Sequence, residues 1–224
     1  MKQSPNLFLL VLIVSISSFT ASAQELYVAT GKTQSSFDYT DSQGQTLDNL
    51  QASTYDFLEV GVRKQLFSTK NLYGSLGVAY ASYGAIGSHD SFGNFMEWTV
   101  NYAELKAGLE YTLFTINKFS FYAKGTASLG FLIQGTQTHN NAVINLKNED
   151  DFDKTLINFK GGAGVIRPIS KNLSVYMQYL YGKSNTLKEG TIHTADQEVL
   201  KIVSHNVSVG LIIDISSKKA ASRN

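Results

Sequence analysis

Tyr102–Phe114 reads YAELKAGLEYTLF and sets Glu104, Lys106 and Glu110 on one face, with Ala103, Leu105, Ala107, Leu109, Tyr111 and Leu113 on the other. Side chains of an extended strand alternate with period 2, so this segment is a two-faced strand. In a soluble sheet the charged face meets water and the apolar face meets a core. In a transmembrane barrel the assignment inverts, with lipid outside and a polar lumen inside. The rest of the chain has to decide between the two.

The 224 residues begin Met1-Lys2, run through an apolar stretch from Leu7 to Ile16, and reach Ala21-Ser22-Ala23 just before Gln24. That order of basic start, apolar run and small-residue cleavage site is a secretory signal peptide over 1–23. The run is too short to span a bilayer as a helix, which takes roughly 20 apolar residues. The expected organisation is therefore a signal peptide over 1–23, one domain over 24–215, and a short polar tail over 216–224, SSKKAASRN. No cysteine occurs, so neither a lipid-modified cysteine anchor nor a disulfide framework is expected.

Net charge is +1 and the pI about 7.8, so no global field draws nucleic acid. Hydrophobic content of 43% with a mean hydropathy of -0.09 excludes a helical membrane protein once the signal is set aside. It does not exclude a barrel, which hides its apolar half by alternating it with polar residues. The two prolines are Pro5, in the signal, and Pro168, in an expected turn, so no candidate strand is interrupted.

Period 2 dominates the mature chain. Eight strands are expected, at 25–39, 53–66, 72–84, 98–113, 119–134, 153–167, 172–186 and 199–215. Most are near twice the common strand length of about 5–6 residues, as tilted strands crossing a bilayer and standing above it would be. Connections at 67–71, 114–118 and 168–171 are short; those at 40–52, 85–97, 135–152 and 187–198 are long. Short turns on one rim and long loops on the other describe an up-and-down barrel with periplasmic turns and extracellular loops.

Face composition adds a second argument. In 119–134 the odd positions run Phe119, Phe121, Ala123, Gly125, Ala127, Leu129, Phe131, Ile133, and the even ones include Lys124, Thr126, Ser128, Gly130 and Gln134. The last strand sets Val207, Val209, Leu211 and Ile213 against Asn206, Ser208, Gly210 and Asp214. The polar faces are also small ones, which suits a narrow closed lumen and not a surface in bulk water. Glu59, Arg63, Glu104, Lys106, Glu110, Lys124 and Lys160 are accordingly assigned to the lumen, as a structural network or a pore lining, and Leu105, Leu109 and Leu113 to lipid. Aromatics near strand ends (Tyr39, Tyr55, Tyr83, Trp98 and Tyr181 above, Tyr27, Tyr73, Phe114 and Phe119 below) are read as interfacial girdles. The first strand, ELYVATGKTQSSFDY, alternates too poorly to be oriented.

With the ASAQ cleavage site, eight strands, the short-turn and long-loop rhythm, and glycine-bearing strands such as NLYGSLGVAYASYG, the chain resembles the small eight-stranded outer-membrane barrels of OmpA/OmpX type over about residues 24–215. The resemblance implies an all-β, antiparallel, up-and-down transmembrane barrel in the outer membrane of a Gram-negative bacterium. It implies insertion by the barrel-assembly machinery among outer-membrane lipid and lipopolysaccharide. One departure is plain: the last strand closes Leu211-Ile212-Ile213-Asp214-Ile215, without the aromatic residue common at the end of such chains.

The lumen charges, three carboxylates against four bases, are near balance, which favours a paired plug over a porin-like path. His89, Asp90, His139, Asp150, Asp151 and His193 fall in long loops, on the expected extracellular rim. Their spacing is no local ligand motif, so neither a metal nor another cofactor is expected. His205 invites comparison with lipid A deacylases, which carry a His and a Ser two residues apart on a lipid-facing strand. Here the residue two beyond is Val207, and Ser208 points the other way. No oriented nucleophile and base can be named, so no enzyme is expected. The expectation is a monomeric, non-enzymatic barrel whose loops bind an unidentified extracellular ligand or maintain the envelope. A narrow pore is the runner-up, followed by a lipid-modifying enzyme and a soluble lipocalin-like barrel.

Overall fold

The computed structural model describes residues 25–40, 46, 50–67, 71–89, 94–139, 142–148, 153–185, 187–189 and 198–215. They form β1 (Glu25–Thr40), β2 (Gln51–Gln65), β3 (Leu72–His89), β4 (Asn94–Ile116), β5 (Phe119–His139), β6 (Ala142–Asn145), β7 (Thr155–Pro168), β8 (Leu173–Ser184), β9 (Leu187–Glu189) and β10 (Glu198–Asp214). Every pairing among them is antiparallel, and β1 bonds to both β2 and β10, so the sheet closes. The wall has eight staves in the order β1-β2-β3-β4-β5-β7-β8-β10; β6 and β9 are short additions on β5 and β10. Closure removes the free edges that an open sheet of such long strands would expose.

The register sets the shape. Paired residues lead from Leu26 through Val62, Leu76, Ala107, Ala127, Phe159, Lys183 and Val203 back to Ser36, ten positions above the start. A stagger of that size over eight strands goes with a tilt of about 35–45°. The axial rise is then about 2.5 Å per residue.

Burial follows parity. Tyr102, Glu104, Lys106 and Glu110 are buried inside, and Ala103, Leu105, Leu109 and Tyr111 face out. β1 is oriented by its neighbours: Tyr27, Ala29, Thr33, Ser35 and Phe37 point inward, and Leu26, Val28, Thr30, Lys32, Gln34 and Asp38 outward. Its alternation is poor because the upper half is polar on both faces.

Several boundaries differ from the sequence reading. Two bulges in the β4–β5 ladder interrupt parity. Thr112 pairs with Tyr122 and Phe114 with Phe121, leaving Leu113 as an extra residue, so Leu113 and Phe114 both face out. Asn101 pairs with Gln134 and Tyr102 with Leu132, so Ile133 is extra and Gln134, expected inside, is exposed. The expected turn at 114–118 contracts to Asn117-Lys118, both at positive φ (49° and 72°), the backbone of a two-residue hairpin whose twist matches its strands. Pro168 ends β7, paired with Ser174, and the turn lies beyond it, where the Ile169 amide donates to the Leu173 carbonyl (2.8 Å). Within the expected long loop at 85–97, residues 85–89 and 94–97 are strand, because the β3–β4 ladder continues up to His89 and Asn94.

The expected aromatic girdle is also corrected. Tyr27, Tyr83 and Trp98 are buried in the lumen, since they share parity with the inward residues of β1, β3 and β4. Tyr181, Phe114 and Phe119 do face out, joined by Tyr80, Tyr111, Phe121, Phe131 and Tyr179. Tyr55 is half-buried, and the Tyr39 side chain lies outside the described residues.

Candidate functional site

The interior is layered. At the short-turn end the Arg63 guanidinium lies 2.8 Å from Glu110 Oε1 and 3.4 Å from Glu25 Oε2, and 4.0 Å from the centre of the Tyr73 ring. Lys124 is the register partner of Glu110, and its ammonium stands 5.5 Å from the centre of the Tyr27 ring. Among Arg63, Glu110, Lys124 and Tyr176 a cavity of about 10 Å³ remains, space for about one water.

One layer up, Lys106 is ion-paired to Glu59, whose other oxygen accepts from the Tyr27 hydroxyl at 2.8 Å. Beside this pair the Tyr83 hydroxyl donates to Glu104 Oε1 (2.6 Å) and accepts from Lys160 Nζ (2.9 Å) and Asn158 Nδ2 (3.3 Å). The phenol thus joins a base and an acid that do not touch. Bonds from Tyr122 to Gln178, over Gly164 of the strand between them (3.0 Å), and from Asn206 to its register partner Thr33 (2.9 Å) complete the polar packing.

Above these layers the lumen turns apolar. Phe37, Trp98, Val100, Tyr102, Leu132 and Leu156 are all buried, with the Phe37 and Trp98 rings 6.1 Å apart. Leu146, from the turn after β6, folds into this cluster, 1% exposed, and its amide donates to the Gly135 carbonyl at 3.0 Å. The turn after the β5–β6 hairpin therefore adds a side chain to the apolar layer near the long-loop end.

Glu59, Arg63, Glu104, Lys106, Glu110, Lys124 and Lys160 all lie buried inside the barrel, and the polar packing brings them together in two clusters. Glu25 is a member that sequence reasoning missed. It gives four carboxylates against four bases, and its only signal was a register, Glu25 opposite Arg63, that β1's pattern did not reveal. Tyr27 and Tyr83 lie near strand ends, where a girdle is expected, but their parity makes them lumen partners of Glu59 and Glu104.

The loop candidates scatter. His89 and His139 are the terminal residues of β3 and β5, at the long-loop rim, and not in loops. Asp90, Asp150, Asp151 and His193 lie outside the described residues. His205 faces outward on β10, with its Nδ1 2.7 Å from the Tyr179 hydroxyl. Val207 shares its face, whereas Ser204 and Ser208 are buried on the opposite one.

No family model and no curated protein matches the sequence. Solved structures do align over most of the barrel at low identity. Neisserial surface protein A is 13% identical, over 84% of this chain and 96% of its own, with a TM-score of 0.46. The outer membrane protein OprG from Pseudomonas aeruginosa is 10% identical, over 86% and 97%, with a TM-score of 0.48. The outer membrane protease OmpT from Escherichia coli is 8% identical, over 87% and 97%, with a TM-score of 0.47.

Proposed function

We propose that this chain is an integral outer-membrane β-barrel of a Gram-negative bacterium, exported through a cleaved signal peptide, with a non-conducting lumen and no enzymatic activity. Its work is done at the long-loop rim, in surface binding or envelope maintenance. The observation that carries this reading is inverted polarity. Charged side chains are buried within the barrel, while Leu58, Val78, Leu105, Leu129, Ile157, Val209 and their outward neighbours are exposed on nearly every stave. An apolar exterior of that extent would not stay dissolved in water, and suits a lipid belt about 25 Å tall.

The interior packing speaks for a plug. The carboxylates and bases balance, and the apolar layer around Trp98, Tyr102 and Leu146 offers an ion no hydrated path. The outer wall speaks against lipid hydrolysis, because His205 bonds to the Tyr179 hydroxyl, and the outward serine of the neighbouring strand, Ser36, is the register partner of Val203 and not of His205.

Single-channel recording in planar bilayers tests the reading, using protein whose band shifts on boiling in a denaturing gel. Folded barrels are expected to stay silent, and intact cells treated with protease are expected to be cut between 140 and 152. Discrete conductance steps altered by neutralising Lys106 or Lys160 would make the protein a pore. Recovery of the folded protein with the soluble periplasm would overturn the membrane assignment itself.

A further inference from the structure

The two ends of the barrel differ in charge. The stretches 64–71, 112–120 and 167–172, which join staves at the short-turn end, hold five lysines and arginines and no acid. Asp214 closes β10 at that end, and the sequence after it, ISSKKAASRN, is basic again. The connections of the other end, 40–52, 90–93, 140–152 and 185–198, hold nine acids against two lysines. The lumen charges cancel, so each rim keeps its own excess.

The short-turn end is also apolar as far as its tips. On β4 and β5 the exposed residues Phe114, Ile116 and Phe119 run up to the two-residue turn itself, with the Phe114 and Phe121 rings stacked at 4.9 Å. Lys118 therefore stands at the edge of the apolar wall, with no length of strand between. On the neighbouring stave the Arg167 guanidinium lies 5.0 Å from the centre of the Phe119 ring. Lys171 is exposed in the β7–β8 turn, which is held by the Ser170 amide donating to the Leu173 carbonyl (3.0 Å) and the Asp214 amide donating to the Asn172 carbonyl (2.9 Å). Lys118, Arg167 and Lys171 thus form one arc over two adjacent turns, and no carboxylate of the described residues pairs with them. Apolar tips accompany the cations: Ile169 is 63% exposed, and Phe67, at φ 55° in the β2–β3 turn, is 84% exposed.

Unpaired cations among bare aromatic and aliphatic tips are the composition of a surface that lies in a headgroup layer, with apolar groups dipping toward the acyl chains and cations meeting phosphate. A soluble acidic partner would account for the cations and leave the apolar tips without a role. We infer that the arc of Lys118, Arg167 and Lys171 is a seat for anionic phospholipid headgroups of the leaflet that meets the short turns. Arg167 offers phosphate oxygens a planar fork, steadied by the Phe119 ring, and the two lysines add point charges on either side. The inference rests on the membrane reading above and deepens it by naming the lipid.

The one native tryptophan, Trp98, is buried in the lumen, so an outward one reports on lipid. Ile116→Trp sits beside the arc, and Phe131→Trp sits on β5 toward the long-loop end. Each folded variant is placed in vesicles that mix phosphatidylglycerol and phosphatidylcholine, with one or the other brominated, and quenching gives the lipid preference at each site. At Ile116→Trp the anionic lipid is expected to be favoured several-fold, and the preference should fade in about 1 M salt, where screening acts within about 3 Å. Phe131→Trp should show no such preference. Lys118→Gly with Lys171→Gln, added to Ile116→Trp, should remove most of it with the heat-shifted band retained. The salt and position comparisons leave the arc itself unchanged and stand even where that variant does not fold. Equal quenching by both lipids at Ile116→Trp, a preference that survives the substitutions, or one abolished by inorganic phosphate at matched ionic strength would overturn the inference; the last would make the arc a site for a free anion. Barrels that float with the vesicles but show no preference leave the membrane reading intact, whereas protein that fails to float breaks that reading and the inference with it.

Discussion

Ser35 on β1 bonds to both backbone groups of Gly84 on β3: its hydroxyl donates to the Gly84 carbonyl at 2.9 Å and accepts from the Gly84 amide at 2.8 Å. The β2–β3 ladder jumps from Ala52–Ala85 to Phe57–Ala81, so residues 82–84 have lost their partner on that side. One side chain stands in for the missing strand. Ser35→Ala leaves a buried donor and acceptor unmet, about 1–3 kcal/mol each. The urea midpoint for unfolding from lipid should fall accordingly, and an unchanged midpoint would mean that water enters the gap.

Lys106 and Glu59 form a buried pair, so removing one charge is worse than removing both. Lys106→Met should destabilise by about 3–5 kcal/mol, because Glu59 is left uncompensated. Lys106→Met with Glu59→Gln should recover much of that loss, since the Tyr27 hydroxyl can still donate to the amide oxygen. Equilibrium unfolding of the two variants against the parent decides it; equal losses would show that the pair is solvated.

Leu105 faces out in the middle of the belt, and Gln34 faces out higher on the wall, between His205 and Thr54 of the flanking strands. Leu105→Arg is expected to cost about 2–4 kcal/mol of insertion energy. Gln34→Arg should cost less, because its surroundings are already polar. The measurement is the fraction of heat-shifted barrel recovered in vesicles, and the reverse ranking would refute the outward assignment.

Leu146 anchors the β5–β6 hairpin in the apolar layer. Leu146→Ala should cost about 2–5 kcal/mol where the cavity cannot collapse. Leu146→Asp should release the hairpin while leaving the staves paired. Limited proteolysis at 142–148 should then quicken, with the heat-shifted band retained.

Lys118 holds φ at 72° in the β4–β5 turn, where a side chain costs about 1–2 kcal/mol relative to glycine. Asn-Gly is the favoured pair for this backbone. Lys118→Gly should therefore stabilise the barrel by about 1 kcal/mol, read as a higher unfolding midpoint. A lower one would show that the turn is held by contacts of the lysine.

Much of the barrel was legible before folding. Alternation in 102–114 and 119–132 distinguishes inside from outside because period 2 is a property of the extended chain itself, needing no neighbour. The burial of Glu104, Lys106 and Lys124 could be read from that rule alone. The same rule puts Tyr83 and Trp98 in the lumen, since closeness to a strand end does not override parity.

Other features had no local signal. The bulges at Leu113 and Ile133 exist only relative to a partner strand, and one extra residue there exposed Gln134. β1 was oriented by β2 and β10, and Glu25 became a lumen acid only once that register set it beside Arg63. What the sequence determined by itself is the alternation, the number of staves and the identity of most buried charges. Which charge meets which, where the lumen turns apolar, and which strands carry polar outward residues were decided by tertiary structure. Those follow from the closing register, which joins residues as distant as Leu26 and Ile213 and is set by the whole sheet at once.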